Sequence, residues 1–495
     1  MTALSNKTLH SLPAEVARPH YDRGAVTAGI VHIGVGGFHR AHQAMYLDDL
    51  MNQGEALDWG IVGVGVMPGD KRMQQVLTAQ DHLYTLVVKH PDGRHEPRVI
   101  GSMIDYLFAP DDPEAVIERM ADPAISIVSL TVTEGGYNFH PVSGEFDLDN
   151  PQVQADLAAP SRPSTTFGLV VEALVRRRAQ GIAPFTVMSC DNIQGNGDVA
   201  KRMFSAYARA RDVELAAWLE GEVAFPNSMV DRITPVTAQS DIDELAAQFG
   251  VVDAWPVVCE PFTQWVLEDH FAAGRPAFEK AGVQVVEDVE PYELMKLRLL
   301  NASHQALCYF GYLVGYRYAH EVCQDPLFVE FLLAYMREEG SPTLAPVPGV
   351  DLEAYRLTLI ERFANPQIKD TLARLCAESS DRIPKWLVPV IREQLARGGE
   401  IRLSAAVVAS WARYAEGRDE QGQPIEVVDR LKLPLMALAA NNRERPSAFI
   451  ENRELFGDLS DQSRFREAYL TVLASLHERG ARATLEALVQ SKGTA

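Results

Sequence analysis

Three polar side chains in one predicted helix could together take up a proton and hold a developing charge. They are the amine of Lys296, the amide of Asn301 and the imidazole of His304. Leucines recur at helical spacing from Leu294 to Leu307 without an intervening Gly or Pro, which predicts one continuous α-helix. At about 100° per residue the three polar groups share one broad flank. The solvated flank of a half-buried helix would look the same, so this pattern alone defines no function.

A glycine-rich turn near the N-terminus has the form of a dinucleotide-binding site. The strand predicted over 28–33 ends at Ile33 and runs into Gly34-Val35-Gly36-Gly37-Phe38-His39-Arg40, which opens a helix. Glycines let backbone N–H groups approach a pyrophosphate, and a helix N-terminus favours its charge. His39 stands where a third glycine is usual, and Arg40 could add a phosphate contact. A merely tight strand–helix turn is the alternative.

An acidic residue follows the second predicted strand, which covers 60–66. In dinucleotide-binding folds such a residue accepts from the adenosine ribose hydroxyls, and its charge repels the extra phosphate of NADP. We therefore predict that Asp70 favours NAD. Lys71 and Arg72 come next and could tolerate a phosphate, so this preference need not be strict. Alternatively, Asp70 only initiates the following helix.

The elements between residues 1 and 290 alternate as in an α/β fold with a largely parallel sheet, a Rossmann-type domain. After an N-terminal arm over 1–27, the patterns predict the strands named above, a hairpin over 83–108, strands over 125–133 and 185–190, and a helix over 166–180. Thr133 ends the first of these two last strands, Glu134 follows it, and Asn192 follows the second, at the sheet edge where such folds bind ligands.

Two domains are predicted, divided near Glu290. Residues 1–290 would form the nucleotide-binding domain with additional β structure. Residues 291–495 would form a mainly α-helical domain that carries substrate-binding and catalytic residues, because helical periodicity recurs after Pro291. A chain of 495 residues is long enough for more than one hydrophobic core.

Composition and charge exclude several classes of protein. A hydrophobic content of 47% and a charged content of 23% are typical of globular proteins. The net charge of −21 argues against nucleic acid or an anionic membrane as a partner. Five scattered cysteines without a C-x-x-C pair argue against a zinc site and favour a reducing compartment. With no signal-like N-terminus and no long apolar run, we expect a cytoplasmic protein, a monomer or weak oligomer, that binds a small molecule.

Five motifs in a fixed order make the chain similar to the polyol-specific long-chain dehydrogenases. They are the glycine turn from Gly34 to Gln43, Thr133-Glu134-Gly135-Gly136-Tyr137, Ser189-Cys190-Asp191-Asn192, the stretch from Phe225 to Pro235, and Lys296 through His304. The resemblance implies a nicotinamide-dependent enzyme without a metal, and NAD is the cofactor that we expect. Such an enzyme interconverts a sugar alcohol, such as D-mannitol, D-arabinitol or D-sorbitol, and its ketose, such as D-fructose.

The resemblance also implies roles for single residues. Lys296 would be the general base, and the positions that match the family's other functional residues are Asn192, Asp231, Asn301, His304, Arg374 and Arg382. Asp231 could accept a hydroxyl proton or orient the lysine. At Arg382 the family pattern leads us to expect Lys. A guanidinium keeps the charge but not the compact geometry of an ammonium, so substrate contacts there could differ.

These residue types suit the oxidation of a secondary alcohol. A lysine with the usual pKa of ~10.4 is protonated at neutral pH, but burial beside a cofactor disfavours the ammonium and lowers the pKa. Lys296 is therefore a reasonable base. Asn192 and Asn301 each offer an amide donor to the forming alkoxide. His304 and Arg374 could bind neighbouring hydroxyls.

The same residues are compatible with other classes of protein. Tyr292-x-x-x-Lys296 matches the Tyr–Lys pair of short-chain dehydrogenases, in which the tyrosine is the base. A hexuronate reductase acting on fructuronate or tagaturonate would use the same scaffold with a different pocket. A nucleotide-binding protein without catalysis would also keep the fold, although the intact catalytic set argues against it. Zinc-dependent polyol dehydrogenases are excluded, because no Cys/His cluster has ligand spacing.

Overall fold

A computed structural model of the chain describes residues 1–140 and 143–491. The chain divides into two units, Met1–Glu290 and Pro291–Ala495. The last four residues of the predicted helical domain, 492–495, lie outside the described part. None of the helices that are described combines the length and apolarity that a membrane span requires.

The strands of the described chain belong to the first unit. They are β1 (Thr2–Ala3), β2 (Ala28–Ile33), β3 (Gly60–Gly65), β4 (Tyr84–Lys89), β5 (His95–Ile100), β6 (Met103–Phe108), β7 (Ile127–Leu130), β8 (Thr186–Ser189), β9 (Ser228–Asp231), β10 (Val251–Val252), β11 (Val257–Cys259), β12 (Gln264–Glu268) and β13 (Gln284–Val286). The helices of this unit are α1 (Gly37–Ala41), α2 (Gln43–Asn52), α3 (Lys71–Ala79), α4 (Pro113–Ala121), α5 (Pro151–Ala158), α6 (Thr166–Ala179), α7 (Asn196–Arg211), α8 (Val213–Glu222) and α9 (Gln239–Phe249).

The second unit is helical. α10 (Glu290–Met295) begins at the boundary between the units, and the helices that follow are α11 (Ala302–Val314), α12 (Ala319–Cys323), α13 (Pro326–Ala334), α14 (Leu352–Phe363), α15 (Leu372–Cys376), α16 (Ser379–Trp386), α17 (Val388–Arg397), α18 (Arg402–Tyr414), α19 (Lys432–Ala439), α20 (Arg453–Phe456) and α21 (Ser463–Gln490). Two π-helical segments, Lys296–Asn301 and Tyr335–Gly340, continue from α10 and α13.

The central sheet of the first unit has the strand order of a Rossmann fold. Its five strands pair in parallel in the order β6-β3-β2-β7-β8. In chain order this is third, second, first, fourth and fifth, as in dinucleotide-binding sheets. Neighbouring residues of β2, Ile30 and Val31, belong to different buried hydrophobic cores, because side chains alternate between the two faces of a sheet. Because the strands are parallel, the loops that follow β2, β3, β7 and β8 lie along one edge of the sheet.

The hairpin predicted over 83–108 is only partly correct. β4 and β5 pair antiparallel as expected, whereas β6 pairs in parallel with β3 in the central sheet. The chain changes direction between β5 and β6, where two residues bond to α2. The Gly101 N–H donates to Asp48 Oδ1 over 2.9 Å, and the Ser102 hydroxyl donates to the Ala44 carbonyl over 2.7 Å.

The N-terminal residues predicted as an arm pack against the first unit. Leu4, Leu12 and Val16 are buried in a small cluster with Val251 and Val258. β1 pairs in parallel with β10. These contacts join residues far apart in the chain, so the local pattern does not reveal them. The remaining predicted strands and the predicted helix are present, with ends that differ by at most a few residues.

The continuous helix predicted over 292–307 is wrong at its centre. α10 ends at Met295, the π-turn Lys296–Asn301 follows, and α11 begins at Ala302. The Ala302 N–H donates to the carbonyl of Leu297, a bond that spans five residues instead of four. Because no Gly or Pro marks this change, helical periodicity alone cannot indicate it.

Candidate active site

The glycine turn after β2 leaves room for a ligand close to the backbone. Gly34 has a φ of 94°, and a Cβ there would lie 2.2 Å from the Thr131 carbonyl oxygen, so this position requires glycine. At Gly36 a Cβ would approach only the Gly34 carbonyl oxygen, at 3.9 Å. At Gly37 the nearest atom would be Thr234 Cγ2, at 3.6 Å. The protein's own packing does not require these two glycines, as expected where a pyrophosphate approaches the backbone.

The side chains that follow the glycines point into the protein. The His39 ring stacks on His32 with the ring centroids 3.4 Å apart, and burial lowers the pKa of His39 well below its usual value. A neutral, stacked ring thus fills the position of the third glycine. Arg40 is buried, and its Nη1 donates to the Trp255 carbonyl over 2.6 Å. The predicted phosphate contact of Arg40 would require this packing to change. Of the other predicted cofactor residues in this stretch, the structure buries Ile33 and Val35 and half-buries Phe38.

The carboxylate of Asp70 holds the loop after β3. Its Oδ2 accepts the backbone N–H groups of Val66 and Met67, both over 2.9 Å. The carboxylate therefore holds the turn Pro68–Asp70 that precedes α3, and it makes no capping hydrogen bond to the described residues of α3, so the alternative in which Asp70 initiates the following helix is not supported. The side chain is half-buried. The predicted hydrogen bond from a ribose hydroxyl to Asp70 would have to use the other carboxylate oxygen, Oδ1.

A buried aspartate that our sequence analysis did not single out organises the loops after β7 and β8. Asp191 accepts the N–H groups of Val132 and Thr133 over 3.1 and 2.8 Å, and the Tyr137 hydroxyl over 2.8 Å. Thr133 has a φ of 63° and a ψ of 172°, a strained conformation outside glycine. Burial raises the pKa of Asp191. This carboxylate fixes the loop of the predicted cofactor residues Thr133 and Glu134; its only sequence signal was its place in Ser189-Cys190-Asp191-Asn192.

Asn192 and Asp231 are positioned by one buried hydrogen-bond network. The Asn196 Nδ2 donates to the Asp191 carbonyl over 3.0 Å and to the Ser228 carbonyl over 2.9 Å. The Ser228 N–H donates back to Asn196 Oδ1 over 2.9 Å. Ser228 begins β9, and Asp231 ends it. The network therefore joins the backbone next to Asn192, which is exposed, to the start of the strand that ends at the buried Asp231.

In the second unit the predicted base lies on the π-turn. Lys296 and Asn301 are its first and last residues, with exposed fractions of 7% and 6%. Residues five apart in an α-helix diverge by about 140°. A π-turn bonds residue i to residue i+5 and so places them nearly above one another. The π-turn therefore brings the positions of the amine and the amide closer together around the helix axis than the broad flank of the predicted α-helix would. Asn301 Oδ1 has no hydrogen-bond partner among the residues that the structure describes.

His304 lies in the first turn of α11 and is held as a neutral ring. Its ring centroid is 4.4 Å from that of Phe363, and its Nε2 has no hydrogen-bond partner within 1–140 and 143–491. Burial lowers the pKa of His304 to about 3, with smaller effects of the Asp370 and Arg374 charges. A neutral imidazole can donate from one nitrogen and accept at the other, which suits a hydroxyl ligand.

Arg382 supports the segment that carries Arg374. Arg374 forms a bidentate pair with Asp370, both bonds being 2.6 Å, and its side chain is 57% exposed. The Nη1 of Arg382 donates to the Arg374 and Leu375 carbonyls over 3.1 and 2.9 Å. Its guanidinium carbon lies 5.6 Å from the Trp386 ring centroid. The planar guanidinium combines these two contacts where the family pattern led us to expect a lysine.

The geometry gives little support to the Tyr–Lys pair of short-chain dehydrogenases. Tyr292 is buried in α10, and its hydroxyl donates to the Pro348 carbonyl over 2.8 Å. In the part of the chain that the structure describes, no group of three or more His, Cys, Asp or Glu could hold a metal. Independence of metal remains a prediction.

A Rossmann sheet with an open glycine turn, followed by a helical unit with a buried lysine and amide, is the arrangement expected of a nicotinamide-dependent dehydrogenase. Residues 28–280 match the mannitol dehydrogenase Rossmann domain, and residues 288–477 match the mannitol dehydrogenase C-terminal domain. The chain belongs to the mannitol dehydrogenase family. The resemblance inferred from the five motifs is thereby confirmed.

Similar proteins cover the chain from end to end. It is 49% identical over 479 residues to a mannitol 2-dehydrogenase of Aspergillus fumigatus, covering 95% of each chain. The Pseudomonas fluorescens mannitol 2-dehydrogenase in a ternary complex with NAD and D-mannitol is 47% identical, with a TM-score of 0.89 over 99% of this chain and 100% of that one. A D-sorbitol dehydrogenase in substrate-free form is 41% identical, with a TM-score of 0.91 over 97% and 100%. The predicted fold class, a Rossmann-type domain followed by a mainly helical one, is confirmed.

Proposed function

We propose that this protein is an NAD-dependent mannitol 2-dehydrogenase that oxidises D-mannitol to D-fructose and catalyses the reverse reduction. The observation that carries the proposal is the solved relative with bound NAD and D-mannitol, which is 47% identical across 99% of this chain. The 41% identity to a D-sorbitol dehydrogenase favours D-sorbitol as a second substrate.

The first unit has the features that NAD binding needs. The turn at Gly34 brings the backbone to the sheet edge, and the open space at Gly36 admits a pyrophosphate. Asp70 lies after β3, where its charge disfavours a phosphate on the ribose. When bound, NAD supplies the acceptor for the hydride that leaves the substrate carbon.

Lys296 takes the proton of the substrate hydroxyl in this proposal. Only a neutral amine can do so, and burial of the side chain, which is 7% exposed, disfavours the ammonium. The π-turn supports the assignment, because Lys296 and Asn301 are its first and last residues and its wider turn brings positions five apart closer together around the axis than an α-helix does. An amide N–H aimed at the oxygen stabilises the negative charge that forms as the proton leaves.

The remaining predicted site residues would orient the substrate. Asn192 would be a second amide donor to the alkoxide, and Asp231 would accept from a substrate hydroxyl. His304, Arg374 and Arg382 would bind the hydroxyls further along the polyol. The unpartnered Nε2 of His304 supports its part of this assignment. We also propose a cytoplasmic location, supported by five free, buried cysteines. The monomeric or weakly oligomeric state is a prediction that light scattering would measure.

A substrate panel tests the proposal. The purified protein would be assayed with D-mannitol, D-sorbitol, D-arabinitol and fructuronate, each with NAD and NADP in the appropriate redox state. We expect the highest kcat/KM for D-mannitol with NAD. Faster turnover of the hexuronate would favour the reductase alternative. NAD binding without turnover of any of these compounds would favour a protein without catalysis.

A further inference from the structure

The two π-turns of the second unit pack against each other. The first, Lys296–Asn301, carries the proposed base and an amide donor. The second, Tyr335–Gly340, ends with the Ser341 N–H donating to the Met336 carbonyl, again across five residues. π-turns are rare and are concentrated at functional sites. Of the two, only the first carries residues of the proposed mechanism.

A hydroxyl of the second π-turn donates to a backbone carbonyl of the first, which the π-turn leaves without its α-helical N–H donor. In an α-helix the Ala302 N–H would bond to the Arg298 carbonyl, but here it donates to Leu297. The Arg298 carbonyl instead accepts the Tyr335 hydroxyl over 3.0 Å. Tyr335 is fully buried, and burial raises its pKa, so the hydroxyl keeps its proton. This donor satisfies a partly buried carbonyl that the π-turn leaves without its α-helical N–H, and a return to α-helical bonding would make the tyrosine hydroxyl unnecessary.

The closeness of the two π-turns depends on a glycine. A Cβ at Gly340 would lie 2.9 Å from Leu299 Cδ2 and 3.3 Å from the Arg298 carbonyl oxygen. Its φ is −72°, an ordinary value, so glycine is needed here for space and not for backbone conformation. An added Cβ would therefore require the Leu299 side chain to move and would crowd the Arg298 carbonyl that accepts the Tyr335 hydroxyl.

The second π-turn is itself fixed to the core of the helical unit. The carboxylate of Glu339 accepts the N–H groups of Leu403 and Ser404 at the start of α18, over 2.6 and 2.8 Å. The Gln394 side chain, on α17, donates to the Glu339 carbonyl over 2.6 Å. The turn therefore has little freedom to follow a movement of Lys296–Asn301.

We propose that Tyr335 and Gly340 are positioning residues, which hold the first turn in the π conformation that places Lys296 and Asn301 side by side. The inference rests on the proposed roles of these two residues in polyol oxidation. If the first turn relaxed to an α-helix, the amine and the amide would lie about 140° apart around the helix axis, at the two edges of one broad flank, and their alignment on one hydroxyl would be worse than in the π-turn. A misplacement of about 1 Å can cost about 10²-fold in rate.

Removal of one oxygen atom tests the role of Tyr335. In Tyr335→Phe we expect kcat for D-mannitol oxidation to fall at least tenfold, while KM and the Kd of NAD change less than twofold. The apparent ionisation in the kcat–pH profile should also move, because the surroundings of the lysine change. Tyr309→Phe is the matched control. Tyr309 is equally buried, and its hydroxyl bonds to Gln305 and Ser379, so its loss should lower stability but leave kcat and the profile within twofold.

Hydrogen exchange separates this inference from the proposed function. We expect peptides covering 296–302 to exchange faster in Tyr335→Phe than in the wild type or in Tyr309→Phe, whether or not the protein turns over a polyol. Gly340→Ala should give the same acceleration and a larger loss of kcat. Wild-type exchange and wild-type kcat in Tyr335→Phe would overturn the inference, even if Gly340→Ala failed to fold. A wild-type protein inactive on every polyol would instead contradict the proposed function.

Discussion

The two units hold their predicted site residues in different ways. In the first, Asp191 is buried, and its carboxylate fixes two backbone N–H groups and a tyrosine hydroxyl. In the second, polar atoms are buried without a hydrogen-bond partner among the described residues, namely Asn301 Oδ1 and His304 Nε2. A buried polar atom left unpaired costs about 1–3 kcal/mol. Such a cost persists where a ligand completes the hydrogen bond. In the first unit His39 Nδ1 and Arg40 Nε are likewise without a partner among the described residues. The contrast is therefore between single residues: Asp191, whose bonds build the site, and Asn301 and His304, which we propose meet the substrate.

The largest effect is expected from Lys296→Ala. Loss of the proposed base should lower kcat by about 10²–10⁴. NAD binding, measured by fluorescence titration, should stay close to wild type, because the glycine turn belongs to the other unit. A small external amine should restore part of the activity by taking the proton itself.

The matched variant for Lys296→Ala is Tyr292→Phe, which removes the hydroxyl bonded to Pro348. We expect it to keep most of its activity. An inactive Tyr292→Phe beside an active Lys296→Ala would instead support the short-chain mechanism.

Asn301→Ala and Asp191→Ala compare a residue that we propose meets the substrate with a residue that builds the site. Asn301→Ala should lower kcat about 10²–10³-fold, the usual loss for one oxyanion donor. Its free energy of unfolding should change little, because the unpartnered acceptor is removed together with the amide. Asp191→Ala leaves three donors without their acceptor and should lower the free energy of unfolding by about 3 kcal/mol or more. Chemical denaturation and steady-state kinetics on both proteins measure this. If the two variants lost comparable free energy of unfolding, the distinction between Asn301 and Asp191 would be wrong.

The sequence could predict features whose cause is local. Gly34 lies directly after a buried strand, so the glycine turn could be predicted from a short stretch of sequence. The alternation of strands and helices then predicted the Rossmann-type domain. The π-turn could not be predicted, because its carbonyl is satisfied by Tyr335, a residue distant in the chain. Asp191 was missed for the same reason, since its backbone partners lie after another strand. The pairing of β6 with β3 likewise depends on long-range contacts.

A smaller effect is expected from Asp70→Asn, which separates the two roles of this carboxylate. The Asn side-chain oxygen can still accept from Val66 and Met67, so the loop should keep its structure. Only the charge that repels the phosphate of NADP is lost. We expect the ratio of kcat/KM for NAD over NADP to fall about tenfold, a difference of ~1.4 kcal/mol, with little change in melting temperature. An unchanged ratio, or a wild-type preference for NADP, would show that Asp70 serves only the loop.

The smallest effect is expected from His304→Gln, which tests whether this imidazole titrates during catalysis. Its pKa is lowered to about 3 by burial, so the ring is neutral at every pH above about 4. An ionisation of kcat between pH 6 and 10 therefore cannot belong to His304, and it should persist in the variant at the same pH. The amide of Gln can replace one hydrogen bond to a substrate hydroxyl, so KM for D-mannitol should rise only a few-fold, about 1 kcal/mol. If the ionisation disappeared while Lys296→Ala retained it, His304 would be the base, and the neutral, substrate-binding role inferred from its burial would be wrong.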